Sequence, residues 1–213
     1  HRMSATSWEN VAISHMRAFR GNTTGGELPV MELPRVNLSH IRRLTTSEGM
    51  VQFCDISQPD LASGHTLDDN ARALIALAML ASVTDRREHA LSRTYLDFIA
   101  RCQQPDGSFL NYADQHGRFT AQNSEVNLDD PNGRAVWALG TVVATKELDA
   151  RMRHRAEELI RAAIPHVTQI RSPRAIAFIM KGLHAYNSVR NDRRIITEID
   201  RLGSRLLVGV GAH

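Results

Sequence analysis

Cysteine is scarce in this sequence, and the two thiols it has form no disulfide or metal pattern. Cys54 and Cys102 are the only cysteines, and neither lies in a Cys-x-x-Cys pair. Two thiols cannot build the disulfide framework that is typical of small secreted domains. We therefore expect two reduced thiols in a cytoplasmic protein, and the absence of a signal-peptide pattern supports the same expectation.

Long apolar runs and basic clusters are also absent. No stretch reaches the roughly 18 uninterrupted apolar residues that a membrane-spanning helix needs, so no membrane span is expected. The 26 Lys and Arg residues nearly balance the 23 Asp and Glu residues, which leaves a net charge of +3. The basic residues are mostly Arg and are scattered among acids, as on solvated helix faces. Because no basic cluster alternates with aromatic residues, nucleic acid is not expected as a partner.

The common metal and cofactor motifs are missing as well. The ten histidines form no His-Glu-x-x-His motif and no other close zinc spacing. The segment 68–72 does not match the Asp-Asp-x-x-Asp metal motif, because its fifth residue is Arg72. The glycine-rich segment 21–26 lacks the Lys-Ser/Thr pair of a phosphate-binding loop. We therefore expect neither a metal nor a cofactor.

What the sequence does contain is a succession of helical segments behind a short arm. Residues 1–20 are predicted to form an amphipathic helical arm, and the Gly-, Thr- and Pro-rich residues 21–34 a linker. From residue 35 to 213 apolar residues recur mostly at helical spacing, and strand-like alternation is nearly absent. The predicted fold class of this domain is therefore all-α. Its long helices are predicted over 68–82, 86–103, 131–145, 149–169, 173–188 and 192–208.

Two of these helices begin with the same pattern. The segment 70–78 (NARALIALA) aligns with 132–140 (NGRAVWALG) at an offset of 62 residues, and 173–183 is a weaker echo. These segments are apolar almost all round, whereas the helices between them are amphipathic. Apolar helices are buried and amphipathic helices cover them, so inner and outer helices should alternate. This alternation predicts helical hairpins arranged in an α/α toroid, which is partial because the chain offers few hairpins.

The polar residues at these helix starts have a purely structural interpretation. Thr66 and Asp69 fit a capping box, and acids in a first turn complement the helix dipole. Capping does not require Arg72 and Arg134, which lie one turn further into apolar helices. A buried arginine is costly unless it is paired, so we expect each of these arginines to be buried and to pair with the acids just before it. Under this interpretation Asp130 is the partner of Arg134.

The functional interpretation adds the architecture. Equivalent helix starts in a toroid converge at one end of the ring, where they would gather carboxylates, amides and guanidiniums in one cavity. Pairs of carboxylates flanked by such groups are what glycoside hydrolysis uses. The candidate catalytic residues are Asp68, Asp69 and Asp130. The candidate substrate-binding residues are His65, Asn70, Arg72, Glu125, Asp129, Asn132, Arg134 and Trp137.

Several short segments resemble a known family. They are HIRRLT, EGMVQF, DDNARAL, DGSFLNY and GRAVWALG, which follow one another within residues 33–190. In this combination the chain resembles the α-helical toroid domain that is appended C-terminally to bacterial glycosyltransferases. The arm similarly resembles the last helix of a glycosyltransferase with two Rossmann domains. The sequence departs from the family's usual residues at Thr46, Phe53 and His65.

The resemblance implies a fold of the six-hairpin glycosidase type and a carbohydrate or glycoconjugate as partner, together with the preceding glycosyltransferase domain. We therefore expect a carbohydrate-active module with a glycosidase- or transglycosidase-like site. The alternative is a non-catalytic module that binds the glycan or docks onto the transferase. Carboxylates that face an open cavity favour the first, and carboxylates that are paired with arginine in a closed core favour the second.

Overall fold

The computed structural model describes residues 15–16, 36–82 and 89–210, with side chains up to residue 208. The chain divides between Asn37 and Leu38 into two units, and the second contains the described helices and strands from Ser39 onward. Of the predicted arm, only His15 and Met16 are described, and both are helical. The rest of the arm and the predicted linker over 21–34 lie outside the described residues.

The described part of the domain is mainly helical, as the sequence predicts. The short helix α1 spans Ser39–Arg43. The longer helices are α2 (Leu67–Leu80), α3 (His89–Cys102), α4 (Asp129–Ala144), α5 (Ala150–Val167), α6 (Pro173–Arg190) and α7 (Arg193–Val210). A 3-10 turn lies at Ala121–Ser124. No helix among the described residues is both long and apolar enough to cross a membrane.

A small antiparallel sheet corrects the all-α prediction. Strand β1 (Val51–Asp55) pairs with β2 (Gln58–Thr66), which in turn pairs with β3 (Tyr112–Ala113). Most residues of the β1–β2 hairpin are exposed or half-buried on both faces. A strand without a buried face shows no apolar alternation, so hydrophobic periodicity could not reveal it.

The helices form two layers of consecutive hairpins. Helices α2, α4 and α6 lie side by side, since α4 packs against both of the others. Helices α3, α5 and α7 each cover the helix that precedes them, and they are the more amphipathic set. One continuous apolar core fills the space between the layers. The alternation of apolar and amphipathic helices in the sequence thus corresponds to the two layers, and three hairpins are present from α2 to α7.

Helices α4 and α6 approach each other unusually closely. A methyl group at Gly133 would lie 2.7 Å from the carbonyl oxygen of Ala175, and one at Gly182 would lie 2.7 Å from the backbone nitrogen of Trp137. Gly140 lies directly against Gly182. Two helix backbones can come this near only where side chains are absent, so these glycines set the spacing of the α4 and α6 starts.

Candidate functional site

The starts of α2, α4 and α6 border one open cleft of about 460 Å³. The close packing of α4 on α6, and of α2 on α4, brings these three starts to the same end of the inner layer. The cleft is lined by Gln52, Phe53, Thr66, Asp68, Asp69, Arg72, Asn111, Tyr112, Asn127, Asp130, Pro131, Arg134 and Arg174. Three carboxylates and three guanidiniums therefore meet at one site, together with amides and two aromatic rings.

Asp68 is shared by two arginines. Its Oδ2 accepts a hydrogen bond from Nη2 of Arg72 at 2.7 Å, and its Oδ1 accepts one from Nη1 of Arg134. Its backbone N–H donates to Oδ1 of Asn111 at 3.1 Å, which fixes the loop before β3 beside the helix. Both carboxylate oxygens of Asp68 are thus occupied by charge-assisted hydrogen bonds.

Asp130 repeats this arrangement one helix further along. Its Oδ2 accepts from two nitrogens of Arg174, and its Oδ1 accepts from the hydroxyl of Ser172 at 3.2 Å. The hydrogen bond and the negative charge of Asp130 raise the pKa of Arg174 above its usual value. The prediction that Asp130 pairs with Arg134 is therefore wrong. Each aspartate of the repeat pairs with the arginine of the next inner helix, and Asp68 also pairs with Arg72 of its own helix, as predicted.

Asp69 has a different role from its neighbour. It accepts a 2.6 Å hydrogen bond from the hydroxyl of Thr66, whose oxygen in turn caps the helix by accepting from the Asp69 N–H at 3.2 Å. Its contact with Nη1 of Arg72 is long, at 3.5 Å. Asp69 therefore serves first as part of the cap of α2 and only weakly as a partner of Arg72.

The two repeated arginines differ in burial. The side chain of Arg134 is 13% exposed, whereas that of Arg72 is 53% exposed. The expectation that both are buried is therefore wrong for Arg72. Arg72 lies on α2, which is the first inner helix in the row. Among the described residues, no earlier inner helix therefore covers Arg72.

Neither a family model nor a curated protein matches the chain. Among the described residues, no group of three or more His, Cys, Asp or Glu could hold a metal ion. The contacts of the cleft itself therefore indicate its chemistry.

The two repeated asparagines lie in the core and not among the residues that line the cleft. Asn70 accepts from the Met50 N–H at 2.9 Å and donates to the Thr66 carbonyl at 2.7 Å. Asn132 accepts from the N–H of Phe109 at 2.8 Å and donates to the carbonyl of the same residue at 2.9 Å. Each amide therefore satisfies buried backbone groups of a loop and clips that loop to its inner helix.

His65 lines a smaller pocket of about 230 Å³ with Thr46 and His116. Its Nε2 lies 3.0 Å from the hydroxyl of Thr46, and its Nδ1 lies 3.3 Å from the carbonyl oxygen of Asp114. Burial lowers the pKa of His65 because it disfavours the charged ring. The imidazole is therefore a neutral, hydrogen-bonded group at the end of β2 and does not line the main cleft.

The other three predicted residues also lie outside the lining of the cleft. Glu125 is exposed at the end of the 3-10 turn. Asp129 begins α4, where its N–H donates to Oδ1 of Asn127 at 2.8 Å. Trp137 packs against Phe178 with a ring separation of 5.7 Å. Of the eleven predicted site residues, five therefore line the cleft: Asp68, Asp69, Arg72, Asp130 and Arg134.

Sequence reasoning missed more than half of the lining. Arg174 could have been found, because the weak repeat at 173–183 aligns its Arg-Ala pair with those of α2 and α4. Phe53 gave a subtler signal, since it stands where the resembled family usually has His. Asn111 and Asn127 lie in irregular loops, and Gln52 and Tyr112 lie in the short strands β1 and β3, so no hydrophobic periodicity marks any of these four residues.

Proposed function

We propose that the cleft binds a carbohydrate, and that the chain is a non-catalytic glycan-binding module of a glycosyltransferase polypeptide. The association with a glycosyltransferase rests on the sequence resemblance. The choice of a carbohydrate as the ligand rests on the residues that line the cleft. Sugar hydroxyls both donate and accept hydrogen bonds, so a site that offers carboxylates, guanidiniums and amides together matches them on every side.

The observation that carries the proposal is an exposed aromatic ring at the edge of this polar site. Phe53 is 60% exposed, and it lines the cleft along with the half-buried Tyr112. A ligand site commonly combines apolar ring surface with a few well-placed polar groups. The apolar C–H face of a pyranose can cover the Phe53 ring while its hydroxyl edge meets the charged pairs of the cleft.

The hydrogen bonds of the carboxylates favour binding over catalysis. In a glycosidase, one carboxyl protonates the leaving oxygen and another attacks or activates water. All four carboxylate oxygens of Asp68 and Asp130 already accept hydrogen bonds from Arg72, Arg134, Arg174 or Ser172. Their geometry is therefore suited to holding a ligand in place. A glycosidase- or transglycosidase-like activity is the second candidate, since both aspartates do line one open cleft.

Binding is tested by replacing the exposed ring. We expect Phe53→Ala to weaken the binding of a neutral oligosaccharide, identified in a glycan screen of the parent chain, by about tenfold or more. Burying an aromatic side chain is worth roughly 1.5–3 kcal/mol, and about 1.4 kcal/mol corresponds to a tenfold change in affinity. Isothermal titration calorimetry on both proteins measures the difference.

Phe119→Ala is the matched control, because Phe119 is also exposed, at 41%, but does not line the cleft. The affinity of the Phe119→Ala protein for the oligosaccharide should stay within about twofold of the parent's affinity. Equal weakening by both substitutions would place the sugar elsewhere. Release of shortened products during the titration would favour the glycosidase-like candidate instead.

A further inference from the structure

A stack of two aromatic rings between two cations continues from the cleft along α4 and α6. The guanidinium carbon of Arg134 lies 4.7 Å from the centre of the Phe178 ring. The rings of Phe178 and Trp137 are 5.7 Å apart and nearly parallel, at 11°. The ammonium of Lys181 lies 3.3 Å from the centre of the Trp137 ring. Because Arg134 belongs to both features, the stack and the cleft form one surface.

Lys181 differs from every basic residue that lines the cleft. The three cleft arginines, Arg72, Arg134 and Arg174, each pair with an aspartate. Lys181 is exposed, and in the described part of the chain its ammonium lies over the Trp137 ring without an ion pair or hydrogen bond to any group. The ring attracts the ammonium through its negative face but takes up none of its three N–H donors in a carboxylate or carbonyl bond. Lys181 therefore presents an oriented positive charge that no acidic group of the described chain neutralises.

The choice of residue type is also informative. The sequence has 24 arginines and only two lysines, Lys146 and Lys181. An ammonium is a compact point charge with rotatable donors, whereas a guanidinium is a planar fork. A compact cation is suited to a single carboxylate or phosphate that approaches along one direction.

The spacing connects this charge to the ligand of the cleft. Lys181 follows Arg174 by seven residues on α6, which is two helical turns or about 10 Å along the axis. A ligand that fills the cleft and extends along the inner helices therefore reaches the Lys181 ammonium with its next group.

We propose that Lys181, held in place by Trp137, is a subsite for an acidic group on the carbohydrate. The inference rests on the proposed function and names its substrate class, a sugar that carries a carboxylate or a phosphate. Lys181 contacts the acidic group, and Trp137 is a positioning residue that orients the ammonium. The charge balance agrees, since the six ionic side chains of the cleft cancel and Lys181 adds one net positive charge beside them.

The test follows ligand binding by the fluorescence of Trp137, which lies against Lys181. Trp8 and Trp137 are the only tryptophans, so Trp8→Phe in the full chain leaves the indole beside Lys181 as the single tryptophan fluorophore. This protein is titrated with methyl glucoside, methyl glucuronide, glucose 6-phosphate and inorganic phosphate. We expect one of the two acidic sugars to bind about tenfold tighter than methyl glucoside, and inorganic phosphate to bind more weakly than that sugar. The preferred acidic sugar identifies the carboxylate or the phosphate as the recognised group.

Lys181→Gln should remove the preference for the acidic sugar, while Lys146→Gln, the matched exposed lysine, should retain it. Equal affinities for acidic and neutral sugars in the parent, or an unchanged preference in Lys181→Gln, would overturn the subsite. If the Lys181 subsite is overturned in this way but Phe53→Ala still weakens the binding of a neutral sugar, the proposed carbohydrate-binding function stands without the subsite. If no sugar binds the parent, both proposals fail.

Discussion

Replacing Gly182 with alanine is expected to destabilise the domain by at least about 3 kcal/mol or to prevent folding. The added methyl group would lie 2.7 Å from the backbone nitrogen of Trp137 and closer still to the carbonyl group of Val136. These are backbone atoms of a buried helix, so neither can move without separating α4 from α6. Overpacking of a filled interior costs about 1–3 kcal/mol even where side chains can adjust, and here they cannot.

Gly203→Ala is the control for helix propensity. Gly203 lies in α7, and a methyl group there would meet only the end of the Met180 side chain at 3.4 Å. Alanine is favoured over glycine within a helix by up to about 1 kcal/mol, so this variant should be slightly more stable than the parent. Urea denaturation of both variants gives the two free energies of unfolding. A Gly182→Ala protein as stable as the parent would contradict the close packing of α4 on α6.

Replacing Asp68 with alanine is expected to cost about 2–4 kcal/mol, and replacing Arg72 less than about 1 kcal/mol. Asp68 neutralises Arg134, whose side chain is only 13% exposed, and a buried charge without its partner is strongly unfavourable. Arg72 is 53% exposed, and exposed ion pairs contribute little because water and salt screen them. The ion pair of Asp68 with Arg134, which joins α2 to α4, should therefore contribute more to the free energy of unfolding than the pair of Asp68 with Arg72.

A double-mutant cycle separates this pair from other effects of the substitutions. Asp68→Ala, Arg134→Ala and the double variant are compared by urea denaturation with the parent. The coupling between Asp68 and Arg134 should exceed the coupling between Asp68 and Arg72, which is measured in the same way. The reverse order would mean that the local pair on α2, and not the pair between helices, holds Asp68.

The helices and their layers could be predicted because their signals are local. Apolar residues at helical spacing mark α2 and α4, and the 62-residue repeat identifies them as equivalent. The contrast with the amphipathic α3 and α5 then indicates which helices lie inside. The part of the chain that the structure describes contains three such hairpins, and a closed toroid remains a proposal.

The charged partners on different helices could not be predicted, because they are not local, whereas the pairing of Arg72 with Asp68 on one helix is confirmed. Arg134 was assigned to the acid four residues before it, yet its partner Asp68 is 66 residues away. The two arginines of the repeat have the same sequence context, but only the position of the helix in the row decides which of them is covered. The spacing of residues along one helix cannot show where that helix lies in the row of inner helices.

The repeated asparagines show a second reason why the site could not be fully predicted from the sequence. Asn70 and Asn132 satisfy buried backbone groups, whereas the repeated aspartates face the cleft. Both residue types are polar groups at a helix start, where capping, loop attachment and ligand binding use the same side chains. A repeated pattern therefore revealed that these positions matter to the fold but not which of them line the cleft.

The most direct test of the carbohydrate cleft is an NMR titration of the isotope-labelled chain with the oligosaccharide that binds best in the screen. We predict saturable shifts in the side-chain Nε–H signals of Arg72, Arg134 and Arg174 and in the backbone signals of Phe53 and Tyr112. Signals around His65 in the smaller pocket should remain unchanged. Saturable shifts centred on His65, or no shifts with any oligosaccharide, would contradict the account.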